Sequence, residues 1–469
     1  MTQTVGHVAS GIEGLDAVTD GGLPEGRATL VCGGPGSGKT LFGIQFIVNG
    51  AQLFGDPGVL ISFEETPEEL AADVGALGWD LHGLVAAGML AMDHVAALRE
   101  EIEQTGAFDL SGLFVRLGHA IDKVGAKRVV LDTPEALFSA FDDTATLRSE
   151  LRRLFRWLKD KGMTTVVTAE RGEGGMTRHG FEEYVSDAVI LLDHRVYEQS
   201  ATRRLRVVKF RGSTHGTNEY PFMLDRRGFS VVPITAFNLA YASSTERVST
   251  GVAGLDEMLD GAGLFRGTTA MVSGASGTGK TTIAAHFAGA ASARGERVLY
   301  LSFEESAGQI TRNMRSVGLD LAPAEEGGTL RFATTRPTQA GLEGHLTMLY
   351  AAVEDFAPTC VVLDPITDFQ ALGSYFEIKA MLMRMVDFLK VRGVTALFTS
   401  ITPESAAEDP TISSMIDTWI QVRNIEVDGA RRRGIFVLKS RGMPHSNRIR
   451  QLEFTSSGLR IADELGAVG

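Results

Sequence analysis

GGPGSGKT at residues 33–40 and GASGTGKT at 274–281 both fit the pattern G-x-x-x-x-G-K-[ST]. Glycines at these spacings let successive backbone N–H groups turn toward an anion, and a helix opening at the lysine adds its positive end. The spacing predicts two triphosphate cradles. One comprises Gly36, Ser37, Gly38, Lys39, Thr40 and Leu41, the other Ser276, Gly277, Thr278, Gly279, Lys280, Thr281 and Thr282. Lys39 and Lys280 would reach the terminal phosphates of ATP, and Thr40 and Thr281 would ligate Mg2+. A glycine turn with a chance lysine is the plain alternative, but each loop follows an apolar strand pattern and opens a helical one.

Acids stand at corresponding places after each loop. Asp132 ends RVVLD and Asp364 ends CVVLD, where a further Mg2+ ligand belongs at the tip of a buried strand; a helix cap is the competing reading. Two adjacent glutamates end the strand after each loop's helix, Glu64–Glu65 in ISFEE and Glu304–Glu305 in LSFEE. A carboxylate beside the γ-phosphate can take a proton from an attacking water, and adjacent carboxylates raise one another's pKa. Here too a helix cap competes, since TPEEL follows the first pair. K-x-R-G-x-x-H occurs twice, in VKFRGSTH (208–215) and LKSRGMPH (438–445). A lysine and an arginine two apart on a strand share a face. They either solvate an edge strand or reach the phosphates of a nucleotide held by a neighbouring subunit.

These residues need elements to position them. RATLVCG, GVLISF, RVVLDT and TTVVTAE, with TTAMVSG, RVLYLSF, CVVLDP and TALFTSI, are unalternating apolar runs separated by helical patterns. They predict α/β domains, each a mainly parallel sheet covered by helices on both faces. RRLRVVKFRG and GIFVLKSRG alternate instead and suggest antiparallel hairpins at the sheet edge. Ser10 onward, SGIEGLDAVTDGGLPEGRATLVCGGPGSGKT, returns from Thr250 as TGVAGLDEMLDGAGLFRGTTAMVSGASGTGKT. A period this long means two homologous domains, 1–240 and 241–469, joined near PITAFNLAYASSTERVS.

The bulk composition excludes several classes. Hydrophobic residues make up 44% and charged residues 22% of the 469, an ordinary globular balance. No apolar run reaches membrane length, the N-terminus has no signal-peptide pattern, and two cysteines make no disulfide framework. A reducing cytoplasm is the expected compartment. A formal net charge of −13 argues against nucleic acid as a bulk partner.

With these motifs in place, the chain resembles the RecA/DnaB-type P-loop ATPases and, more closely and nearly end to end, the KaiC family of circadian clock ATPases. SFEETPEEL, YVSDAVILL, KFRGSTHGTNEYPF, GLDEM, AGLEGHL and TISSMIDT carry the likeness. The resemblance implies tandem RecA-like domains in a double-ringed homohexamer with ATP between subunits. Glu64 and Glu65 would activate water in the first ring, and Glu304 and Glu305 would serve the second. Lys209, Arg211, Ser213 and His215, with Phe210, would contact nucleotide across one interface. Arg433, Lys439, Arg441 and His445, with Ser440, would do so across the other. The family's second domain phosphorylates itself on a Ser-Thr pair, which implies Ser413 and Ser414 as acceptors.

The second acceptor here is Ser414 rather than threonine, and Glu408 stands where the family has a further threonine. The chain runs out at LRIADELGAVG, short of the tail through which clock members engage KaiA. No KaiA-type partner is therefore expected, whereas a KaiB-like or other signalling protein fits. The expected function is a KaiC-like ATPase and serine autokinase acting as a hexameric, circadian-type switch. The alternatives are a RecA-like DNA-binding ATPase and a scaffold that ATP merely holds together.

Overall fold

The computed structural model describes residues 6–95, 110–134, 144–172, 177, 186–197, 200–233, 243–402, 413–427, 429–456 and 458–464. They belong to two compact units, Met1–Ala236 and Phe237–Gly469. Most of the connector expected near 233–249 lies outside the described residues. Its last part is already structural, because Arg247–Val248 pairs as a short strand with Leu264–Phe265.

In the first unit a nine-stranded sheet is seen among the described residues. The strand Ala28–Gly33 lies inside it, flanked by Thr164–Glu170 and Ala188–Tyr197, both parallel to it. Beyond Thr164–Glu170 come Arg128–Asp132, Gly58–Ser62 and Leu90–His94, all parallel. On the other side Ser200–Phe210, Glu219–Asp225 and Gly228–Val231 follow as antiparallel neighbours. The alternating segments therefore form the antiparallel edge that their pattern predicts.

The second unit repeats this order. Thr269–Gly274 lies between Thr395–Ile401 and Thr418–Val427. Cys360–Asp364, Val298–Ser302 and Leu330–Thr334 complete the parallel side. Ala430–Ser440, Arg450–Thr455 and Gly458–Glu464 make the antiparallel edge.

The apolar runs are unalternating because both faces of each strand are covered. Leu30, Cys32, Val59, Ile61, Val129 and Leu131 face one core with Leu113, Leu117, Leu154 and Leu158 of two helices. Val31, Leu60 and Val130 face the opposite core with Phe42, Ile47, Leu70 and Val74. Period-two side chains thus enter two different cores. In the second unit Ala284, Ala285, Ala288 and Ala291 of the helix Lys280–Ala293 are all fully buried, so small side chains let that helix sit close on the sheet. No helix among the described residues is long and apolar enough to cross a membrane.

Candidate functional site

Both glycine-rich loops connect the carboxyl end of an inner parallel strand to a helix N-terminus, where open α/β sheets place their ligands. Gly38 and Gly279 adopt left-handed conformations, with φ of 92° and 105°. A Cβ there would also stand 3.0 Å from Leu224 Cδ1 and 2.6 Å from Phe454 Cζ, so those side chains would have to shift in addition to the backbone strain. Each lysine folds back over its loop. Lys39 Nζ donates to the carbonyls of Gly33 at 2.9 Å and Gly34 at 3.1 Å, and Lys280 Nζ to Ala275 at 2.9 Å. Burial lowers the Lys280 pKa, against the attraction of Asp364 and Glu304.

A cleft of about 310 Å³ opens on the first loop, lined by Gly36 through Leu41 together with Glu65 and Asp73. The second cleft holds about 580 Å³ and is lined by Ser276, Gly277, Gly279 through Thr282, Glu304, Glu305 and Asp364. In each unit the phosphate loop and at least one glutamate of the following pair therefore line one cleft. Thr278, expected in the second cradle, turns its hydroxyl to the Ala275 carbonyl at 2.8 Å, within the loop itself. In the first unit Glu64 is exposed and does not line the cleft, whereas Glu65 is half-buried and does.

The strand-tip aspartates are buried beside the loop hydroxyls. Asp132 accepts from Thr168 Oγ1 at 2.5 Å and also from the Thr40 side chain. Burial raises its pKa, while Thr168, Thr40 and the Lys39 charge oppose that shift. Asp364 accepts from Thr281 Oγ1 at 3.3 Å, from Tyr300 OH at 2.7 Å and from Thr399. Sequence reasoning missed these supports. Tyr300 lies two residues before Ser302, which is in register with Asp364 on the adjoining strand, so the phenol and carboxylate share a face. Only the pairing of those strands brings that relation out.

The glutamate pairs do not cap the helices that follow them. Thr66 and Glu69 form a capping box at the helix Pro67–Gly75, and Ser306 and Gln309 form the matching one at Ala307–Arg315. The acids that looked like competing cap residues are thus accounted for without Glu64, Glu65, Glu304 or Glu305. Burial raises the pKa of Glu65, and then Asp73, Asp132, Glu69 and, last, Glu64 add to it. Glu304 is likewise raised, first by burial and then by Asp368 and Asp364, with Glu305 a minor contributor. Mutual repulsion within each pair, the effect expected from adjacency, is the smallest cause in both. Side chains at i and i+1 diverge, and the larger effects come from other elements.

The K-x-R-G-x-x-H residues stand apart from their own clefts. Lys209 donates to the Ser186 carbonyl at 2.7 Å, Arg211 is exposed, and Ser213 and His215 are half-buried. Phe210 is a core residue that stacks on His215 with ring centroids 6.1 Å apart. In the second unit Ser440 and Thr418 share a hydroxyl contact of 2.9 Å, and His445 is half-buried. Lys439 donates to the Ser413 carbonyl, and Arg441 to the Ser414 carbonyl at 2.8 Å. Arg433, expected with them across an interface, lines its own unit's cleft instead, 4.6 Å over the Phe454 ring. Glu408 lies outside the described residues, while Ser414 is exposed and Ser413 half-buried.

The family described as "ATPase: KaiC" matches this chain twice, over residues 8–236 and 248–466. The circadian clock protein KaiC2 of Synechocystis sp. is 48% identical over 459 residues, covering 97% of this chain and 81% of that protein. The circadian clock oscillator protein KaiC of Synechococcus elongatus is 37% identical over 467 residues, 98% of this chain and 90% of its own. The circadian clock protein KaiC3 of Synechocystis sp. is 36% identical over 468 residues, 98% and 92% of the two chains. Two phosphate loops, each with its strand-tip aspartate and glutamate pair, and a match spanning both units agree: the chain belongs to the KaiC family of ATPases.

Proposed function

We propose that this ATPase hydrolyses ATP in both units and phosphorylates itself at Ser413 or Ser414, as a ring-forming switch of the circadian type. The observation that carries the self-modification is the tether between Lys439–Arg441 and the carbonyls of Ser413 and Ser414. The cations assigned to a neighbouring subunit's phosphates thereby hold the segment that carries the hydroxyls. When they engage that nucleotide, the acceptor is delivered with them.

In the first unit Glu65 accepts a proton from the attacking water as the γ-phosphoryl group leaves ADP. In the second, Glu304 and Glu305 line the cleft with the phosphate loop. There the serine oxygen forms the new bond to phosphorus, its proton passes to a carboxylate, and ADP departs. Mg2+ suits the donors present: hydroxyl and carboxylate oxygens of Thr40 with Asp132 and of Thr281 with Asp364. Among the described residues no cluster of three or more His, Cys, Asp or Glu would hold a metal alone. That fits an ion taking most of its ligands from phosphates and water, where it would offset the triphosphate's charge.

The test is labelled ATP offered to wild type, to Glu304→Gln and to the Ser413→Ala/Ser414→Ala double variant. Label on wild type, slower label on Glu304→Gln and none on the double variant is the expected pattern. Equal label on wild type and double variant would place the phosphate elsewhere.

A further inference from the structure

The helices that follow the two glutamate pairs are equivalent turn for turn, with the same capping box and the same buried positions, Leu70 and Val74 against Ile310 and Met314. Two positions facing the glutamates differ: the capping residue is Glu69 in the first helix and Gln309 in the second, and one turn further on an acid again gives way to an amide. Eight residues after Glu65 stands Asp73, and eight residues after Glu305 stands Asn313. Both line their clefts beside the glutamate. Asn313 Nδ2 donates to Glu305 Oε2 at 3.3 Å. Asp73 offers a second carboxylate in place of that donor.

We infer that position 73/313 is a positioning residue that makes the two glutamate pairs different bases. In the second unit an amide donates to Glu305 and orients it. In the first a carboxylate opposes the charge on Glu65 and leaves its rotamer unpinned. This rests on the reading of the glutamates as proton acceptors.

Of the two, position 73/313 bears the more directly on the glutamate, through the Asn313 hydrogen bond in one unit and the stronger effect of Asp73 over Glu69 in the other. Glu65 faces Asp73 and Glu69 from the following helix, Asp132 from the adjoining strand and Glu64 beside it. All four are acids, and Asp73 makes the largest electrostatic contribution after burial. Lys39 shares the cleft. Around Glu305 stand Asn313, Glu304 and the buried Tyr300 phenol, with Asp364 and Lys280 in the same cleft. A hydrogen bond to the ionised form favours that form, and a like charge disfavours it. Because a general base works only when ionised, the Asp73 charge should hold the acid limb of the first unit's hydrolysis at higher pH than a neutral side chain there would.

The experiment uses the full chain with one unit silenced at a time. With Glu304→Gln/Glu305→Gln silencing the second unit, kcat and KM for ATP are followed against pH for the parent, Asp73→Asn and Glu65→Gln. Asp73→Asn is isosteric and should move the acid limb of kcat to lower pH while leaving KM within about twofold. With Glu64→Gln/Glu65→Gln silencing the first unit, Asn313→Asp should move the second unit's limb to higher pH and lower kcat. Asn313→Gln, which keeps an amide, should restore part of it. If Glu65→Gln hydrolyses ATP as well as its parent, the glutamate reading itself fails. If Glu65→Gln is inactive yet Asp73→Asn and Asn313→Asp leave both limbs in place, the glutamates stand and position 73/313 is merely structural.

Discussion

Glu65 and Glu305 occupy matching tips of matching strands, half-buried and turned into their clefts. A glutamine at either place keeps size and hydrogen bonding but cannot take a proton. In a chain already carrying Glu304→Gln/Glu305→Gln, the further change Glu64→Gln/Glu65→Gln should cut the remaining kcat by ~100-fold or more, the usual worth of a positioned base. Nucleotide binding, read by fluorescence of a labelled ATP analogue, should persist. Turnover that survives unchanged would remove the first pair from the chemistry. The phosphate loops were legible as a short local motif, and the strand-tip acids from their place at the end of an apolar run. What surrounds them was not. The contacts of Tyr300 with Asp364 and of Arg433 with Phe454 depend on strand register, which no local pattern states.

At the scale of elements, each helix after a glutamate pair begins with a reciprocal cap. Thr66→Ala leaves helix donors unsatisfied and should destabilise the first unit by about 1 kcal/mol, seen as a lower midpoint in urea. A second anchor ties the turn before the strand Val298–Ser302 to the entrance of the strand Thr269–Gly274. Burial pushes the Glu296 carboxyl up, but Arg266 at 2.9 Å and Arg294 at 2.8 Å prevail and hold it down at about 2. A carboxyl depressed in the folded state contributes its full stabilisation above its ordinary pKa and loses it as pH falls toward the folded value. Glu296→Gln should therefore cost ~2 kcal/mol at neutral pH, allowing for the partly exposed arginines. The gap between its thermal midpoint and that of wild type should close as pH drops from about 4.5 to about 2. A constant gap across that range would mean the effect is packing rather than charge. The strands themselves were evident from their apolar runs, since burial on both faces removes alternation. The short strand Arg247–Val248 was not, because two residues carry no period.

For the whole molecule, the two units repeat one sheet order with one site each, as the long internal repeat of the sequence implies. Lys209 and Arg211 do not line their own unit's cleft, and Lys439 and Arg441 do not line theirs, which supports giving them to a neighbouring chain. Assembly should then depend on nucleotide. Lys39→Ala and Lys280→Ala should each shift light-scattering mass toward the monomer at ATP concentrations that assemble wild type, through lost ligand-linked stabilisation. A wild-type mass indifferent to ATP would oppose this. Native mass spectrometry after incubation with ATP and Mg2+ joins assembly to self-modification, since it reads subunit number and covalent phosphate together. Wild type should appear as a six-subunit particle whose subunits carry added phosphate, and Ser413→Ala/Ser414→Ala as a particle of the same subunit number with none. Unmodified monomers of wild type under those conditions would contradict a ring-forming autokinase.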